Sequence, residues 1–366
     1  MTTPASRPPS IVVTCGDPAG IGPEVVLKAW ARSPAHARAR LRVVADPEWL
    51  SATLPAVPGM PPLGVTVIDA ADERPSSADR VLVVAPAVPS APVRRGVASA
   101  AGGAAAVAAL ETAWRLLAAA RPAPAALVTG PLHKGALHAA GHDVPGHTEW
   151  LARACGAADD AASMMLWLPP APGGAGDGLG VVHATLHESL AGALSRLSAE
   201  RISAAGMRLA PVLAALVGRA PRLAVAALNP HGGEGGLFGD EEGRVVAPAV
   251  GAMVSAGLDA TGPWPADTLF QRAAAGAYDG VVALYHDQGH IPIKLLGMHR
   301  AVNITLGLPV VRTSVAHGTA FDIVGTGRAD ASSMLAAIDA AERLLRAGWI
   351  GGDAGLRAST ASGRRP

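Results

Sequence analysis

Short apolar runs alternate with longer stretches of helical periodicity along the chain, and this alternation predicts an α/β protein. The runs at 11–14, 41–45, 65–69, 126–128, 223–228, 281–284, 302–306 and 310–311 read as buried strands. Residues 164–168 and 181–185 read as a strand pair around the proline- and glycine-rich tract 169–180, which cannot form a regular element and is expected to be a mobile loop. Helices are expected from Pro23 through Trp30, over 97–119, over 200–216 and over 331–347, with the tail 356–366 disordered. The densest polar chemistry follows the strand-like runs between 281 and 330, where His, Asp, Lys, Asn and Arg cluster. Ligands of open α/β sheets gather outside the carboxyl ends of the strands, so this stretch is the expected centre of function.

Composition narrows the class. At 366 residues the chain exceeds one small core and fits two domains or one large α/β unit. Half of its residues are hydrophobic and the formal net charge is +1, which argues against a disordered chain and offers no basic surface for nucleic acid. The start, MTTPASRPPS, lacks the basic and apolar regions of a signal peptide, and the Ala-rich stretch 99–120 is interrupted by Glu111 and Arg115. Neither a leader nor a membrane association is expected, and the cytoplasm is the expected location. Two cysteines, Cys15 and Cys155, cannot make a disulfide framework, and a reduced state is expected.

Several stretches carry candidate chemistry. In CGDPAGIGPE, glycines 16, 20 and 22 allow a tight strand-to-helix turn with Pro23 starting the helix; such a turn either holds an anion on its amides or is purely structural. It is not GxGxxG. His133, Lys134, His147, Thr148 and Glu149 sit at loop and helix-start positions, with Thr148 a candidate N-cap, and basic and hydroxyl groups beside tight turns suit phosphate. The glycines around His231, Glu234 and Asp240 keep that loop free of bulk. His187, His231 and His286 each follow a separate strand-like run. Three neutral imidazoles make a divalent-cation site with open positions for substrate, although spacing alone does not require them to meet. Lys294 is either a solvated amine or, in its apolar IPIKLLG run, a functional cation.

Seven ordered motifs, GDPAGIGPE, GPLHKGAL, GHTEWLA, LNPHGGEGG, PADTLF, YHDQGHIPIK and VNITLGLPVVRTSVAHGTAFD, resemble the motif set of the 4-hydroxythreonine-4-phosphate dehydrogenase family of vitamin B6 synthesis over about residues 11 to 335. Relatives acting on phosphorylated D-threonate or D-erythronate, and some dihydrodiol dehydrogenases, share nearly all of them. By this resemblance His187, His231 and His286 are metal ligands, and His147, Thr148, Lys294, Asn303 and Arg312 bind substrate. Lys294 and Asp267 are the catalytic candidates. HGTAFDIVGTGRAD is similar to the loop with which isocitrate and isopropylmalate dehydrogenases grip the adenosine half of NAD or NADP, a fold without a GxGxxG turn. Gly318, Thr319, Ala320 and Asp322 are therefore cofactor candidates, the alternative being a glycine-rich structural turn. Relatives commonly carry an acidic residue where Ala316 stands.

The resemblance implies a two-lobed α/β fold of the isocitrate/isopropylmalate dehydrogenase type with the active site in the cleft between lobes. Residues 1–145 and 290–366 would form one lobe, with the cofactor loop; 146–289 would form the other, with the metal histidines and the dimer contact. It implies a homodimer with shared sites, one divalent cation per site (Zn, Mg or Co), and a small phosphorylated hydroxy acid as substrate. The expected reaction oxidises 4-phosphooxy-L-threonine to a β-keto acid that decarboxylates to 3-amino-2-oxopropyl phosphate, with a 4-phospho-D-threonate or 4-phospho-D-erythronate dehydrogenase as the alternative. A tri-histidine hydrolase or lyase without redox cofactor is more distant, and the HGTAFD loop separates it from a dehydrogenase.

Overall fold

The computed structural model describes residues 8–352 except 58, 87–91, 121–122, 145, 159–160, 172 and 174–175. The tail 356–366 and part of the 169–180 tract, for which disorder and mobility are expected, lie outside the described residues. From the N-terminus the elements are β1 (Ser10–Thr14), α1 (Gly22–Arg32), β2 (Arg40–Val44), α2 (Pro47–Thr53), β3 (Gly64–Val67), β4 (Arg80–Val84), α3 (Ala100–Ala120), β5 (Ala125–Thr129), α4 (Lys134–Ala139) and α5 (His147–Ala154). There follow β6 (Ser163–Leu168), β7 (Leu179–His183), α6 (Leu190–Arg196), α7 (Ala199–Val217), β8 (Arg222–Ala226), α8 (Ala247–Ser255), β9 (Asp259–Trp264), α9 (Ala266–Ala274), β10 (Gly280–Ala283), α10 (His286–Gly297) and β11 (Val302–Leu306). The last two are β12 (Val311–Val315) and α11 (Ser332–Arg346).

The chain divides into two compact units, Met1–Ala162 with Leu308–Gly351 and a second built on Ser163–Gly307. These limits differ from the expected lobes 1–145 with 290–366 and 146–289. Residues 290–307 belong with the second unit because β11 pairs antiparallel with β6 and α10 packs on β10 and β7.

In the first unit the strand order is β3-β4-β2-β1-β5-β12, and every pair is parallel. Parallel strands need helical crossovers, which cover both faces, so β1 reads as an unbroken apolar run with Ile11 and Val13 fully buried. On one side α3 packs on β1 and β5 with Val107, Leu110, Ala113 and Leu117 buried. By length and composition α3 is apolar enough to cross a membrane, but these buried residues place it in the core of this unit. The turn from β1 into α1 is the tight one its glycines predict: Gly16 has φ +71°, and a Cβ on Gly16, Gly22 or Gly130 would strike the backbone of Pro131 or Cys15. The amides of Asp17, Ala19, Gly20 and Ile21 are all bonded within the chain, which favours the structural reading of this turn. Cys15 is a buried free thiol, pushed up to about 12 by burial.

The second unit has the order β11-β6-β7-β10-β8-β9, with β11, β6 and β7 antiparallel neighbours and β7, β10, β8 and β9 parallel. Its core gathers Met165, Trp167, Ile202, Leu209 and Leu213. Several elements go beyond the sequence expectations, among them α2, α6, β4, β9 and α10. α10 contains Gly289 and Pro292, both poor helix formers, yet a Cβ at Gly289 would collide with the His183 imidazole, so the glycine is what lets α10 lie against β7.

Candidate active site

In the first unit the candidate substrate residues meet at β12. Ser314 stands opposite Thr129 of β5 in the parallel register, and Arg312, two residues earlier, shares its face. The guanidinium therefore reaches Thr129, whose Oγ1 accepts from Nε at 3.2 Å and from Nη2 at 2.7 Å. The apolar run 310–311 places Arg312 after the strand. It lies inside β12 and is 5 % exposed, so burial pushes its pKa down to about 10 against the opposing pull of Glu149. His147, at the start of α5, is pushed down to about 3, first by burial and then by the Arg312 charge. His147 stays neutral beside the Arg312 cation, with the Glu149 carboxylate near enough to act on the same guanidinium. Thr148 lies in the first turn of α5 and does not cap it; the N-cap is Gly146, whose backbone is extended and which offers no side-chain oxygen.

The loop after β12 carries the cofactor candidates. Thr319 is buried, and its carbonyl accepts from Ile21 N at 2.9 Å. Ala320 takes a left-handed conformation at φ 44°, Asp322 is exposed, and an added Cβ at Gly318 would meet open space. Ala316 N donates to Ser333 Oγ at the start of α11.

In the second unit four histidines gather at the ends of β7 and β10. The His187 and His286 ring centroids lie 5.8 Å apart. Two imidazoles on one tetrahedral cation at about 2.0–2.1 Å bring their rings to roughly 5–6 Å, so this pair fits as two ligands of a metal. His286 stacks on His290 at 3.8 Å and 10°, and His290 Nδ1 is 3.1 Å from His183 Nε2. Burial first, then neighbouring histidine charge, pushes His183 down to about 3 and His290 to about 4. Gln288 ties the helix to the strands, accepting from Leu284 N and donating to Ala227 O at 2.7 Å each. His187, His286 and Tyr285 line a 530 Å³ cavity whose other walls include Leu186 and Leu190.

The third histidine stands apart. His231 is exposed and lies 3.1 Å from Glu234 Oε1 in its own loop, where residues 231–235 all have positive φ. Glu242 holds the loop's base, accepting from Leu228 N and Asn229 N. Burial works to raise the Glu242 pKa, but these bonds outweigh it and the net shift is downward. Among the described residues no group of three or more His, Cys, Asp or Glu side chains is close enough to hold a metal ion. A single chain thus brings two of the three histidines together.

Asp267, in the first turn of α9, is exposed, and Asn303 is half-buried on β11. Lys294 is exposed on α10; of its apolar neighbours Ile291, Leu295 and Leu296 are exposed with it and Ile293 is buried. Thr129, His183 and His290 are not among the residues the sequence singles out. A histidine pair at i, i+4 on one helix, His286 and His290, was the available signal.

Residues 37–341 match the family described as pyridoxal phosphate biosynthetic protein PdxA. The chain is 44% identical over 335 residues to a 4-hydroxythreonine-4-phosphate dehydrogenase of Desulfosudis oleivorans, covering 91% of this chain and 95% of that one. It is 42% identical over 345 residues to a D-threonate 4-phosphate dehydrogenase of Pectobacterium atrosepticum, covering 91% and 98%. The crystal structure of 4-hydroxythreonine-4-phosphate dehydrogenase from Klebsiella pneumoniae superposes with a TM-score of 0.76 at 41% identity, over 93% of this chain and 99% of that one. Motif order, α/β fold and identity over nearly the whole chain agree: the protein belongs to the PdxA family and is an oxidoreductase of the dehydrogenase type.

Proposed function

We propose that the protein oxidises the secondary alcohol of 4-phosphooxy-L-threonine with NAD or NADP as hydride acceptor, and that the resulting 2-amino-3-oxo acid loses carbon dioxide to give 3-amino-2-oxopropyl phosphate. The observation that carries this reading is the buried Arg312 guanidinium with His147 beside it, because its planar fork, held by Thr129, matches the oxygens of a phosphate or carboxylate. Both groups of relatives described above are named for substrates bearing phosphate.

Arg312, His147 and Thr148 take the anionic groups, and Asn303 fixes the substrate by hydrogen bonding. Lys294 and Asp267 serve proton transfer, with Lys294 relaying a proton or neutralising the charge that develops. Gly318, Thr319, Ala320 and Asp322 grip the dinucleotide. His187, His231 and His286 would hold a divalent cation, Zn, Mg or Co, which supplies Lewis-acid polarisation of the reacting oxygen. The 5.8 Å pair in one chain and the outlying, exposed His231 fit a homodimer in which two chains build each site. The cytoplasm is the proposed compartment.

The relatives named for D-threonate 4-phosphate support a second reading. That substrate keeps the carboxylate, the secondary alcohol at C3 and the phosphate and changes only the group at C2, so the same residues serve it. The metal assignment is tested by NAD(P)H formation before and after exhaustive chelation. Activity should vanish and return with Zn, Mg or Co; undiminished activity in the chelated protein would contradict it.

A further inference from the structure

The segment from His317 to Asp330 joins β12 to α11 with one short 3-10 turn, Phe321–Ile323, so little of its shape comes from repeating hydrogen bonds of its own. Helix α1 grips it at two points. Near its first half, Ile21 N donates to Thr319 O, and Gly20 lies so close that an added Cβ would sit 2.7 Å from the same oxygen. Near its second half stands Lys28, 8 % exposed. The Lys28 ammonium donates to Glu24 Oε1 at 2.7 Å, Gly327 O at 2.8 Å and Ala329 O at 2.7 Å. An ammonium has three donors and all three are used inside the protein.

A buried lysine is a costly way to pack a helix, since leucine or methionine would fill the space without desolvating a charge. Here the charge delivers two directed bonds to a segment about 300 residues away in sequence, and Glu24, one helical turn before Lys28, offsets it. We propose that Lys28, supported by Glu24, is a positioning residue for dinucleotide binding: it holds the 318–330 loop in its binding shape before the cofactor arrives. The inference rests on the reading that this loop takes the dinucleotide. A loop ordered by α1 on folding does not have to be ordered at the expense of binding energy.

The test uses the full chain and titrates NADH and NADPH by fluorescence. Removing Lys28 alone strands the Glu24 carboxylate, so the variant measured is the double substitution Glu24→Gln with Lys28→Met, which removes both charges together. The expected result is dinucleotide affinity weakened about tenfold, a raised KM for dinucleotide with kcat at saturation unchanged, and faster amide exchange confined to 317–330. Glu24→Gln alone keeps both loop bonds and should stay within about threefold of the parent. Zinc binding by the second unit should be unchanged in every variant. Parental affinity and parental loop exchange in the double variant would overturn the proposal while leaving the cofactor reading intact. Failure of the unmodified protein to bind either dinucleotide would overturn both.

Discussion

Arg312 shows how much of a site one residue type can carry. Its Thr129 partner shares an oxygen between two guanidinium nitrogens, which orients the planar fork. Arg312→Lys keeps the charge and loses the fork, and kcat/KM is expected to fall by on the order of a hundredfold, about 2–3 kcal/mol. The fall should be smaller for a substrate analogue without phosphate; equal losses for the two would assign Arg312 to the carboxylate instead. At the metal histidines, His286→Ala leaves His187 without its neighbour and should weaken zinc binding at least tenfold by calorimetry, whereas unchanged affinity would remove His286 from the ligand set. The motifs made the identities of these residues legible in sequence. Their surroundings are not: the apolar run around Lys294 points to a functional cation, but on α10 Ile291, Leu295 and Leu296 are exposed with it while Ile293 turns into the core.

Elements with one strong period are legible in the sequence, and those with mixed signals are not. The runs IVVT and VNITL and the helix over Ala199–Val217 follow their patterns, whereas β9 (DATGPW) has too little β-branched character to announce itself. α10 hides behind Gly289 and Pro292, and Gly289 lies against His183, a tertiary contact that no local pattern records. That contact has a pH signature. His183 and His290 titrate near 3 and 4 in the fold, below the 6.5 of a free histidine, so between these limits the unfolded chain binds protons that the fold refuses. The stabilisation is complete above about pH 6.5 and is lost as pH falls toward 4. For the metal-free protein at pH 5 the loss is roughly 2–4 kcal/mol for the pair. Thermal unfolding followed from pH 7.5 to 5 should show it, and replacing both rings with glutamine should flatten the slope; an unchanged slope would mean that other groups dominate. The β1–α1 turn gives a second test. Gly16→Ala must accept φ +71° and a clash with Pro131, and urea unfolding should show a loss of about 2 kcal/mol or more; a loss below about 0.5 kcal/mol would mean the turn relaxes freely.

For the whole molecule, the alternation of strands and helices carried the α/β class, and the terminal segments Met1–Ala162 and Leu308–Gly351 form one compact unit. The limits of the compact units differ from the expected lobes because strand pairing, β11 with β6, and not the composition of the linking chain, decides where residues 290–307 belong. Membership of the PdxA family makes the protein a dehydrogenase, and the central claim is that its substrate is a phosphorylated 3-hydroxy acid oxidised and then decarboxylated. The most direct measurement incubates purified protein with a divalent cation, NAD or NADP, and either 4-phosphooxy-L-threonine or 4-phospho-D-threonate, and follows NAD(P)H and released carbon dioxide together. The account predicts reduction of the nucleotide matched by carbon dioxide, mole for mole, with 4-phosphooxy-L-threonine the faster substrate and the unphosphorylated acid inert. Reduction without carbon dioxide, or equal rates with and without the phosphate, would contradict it.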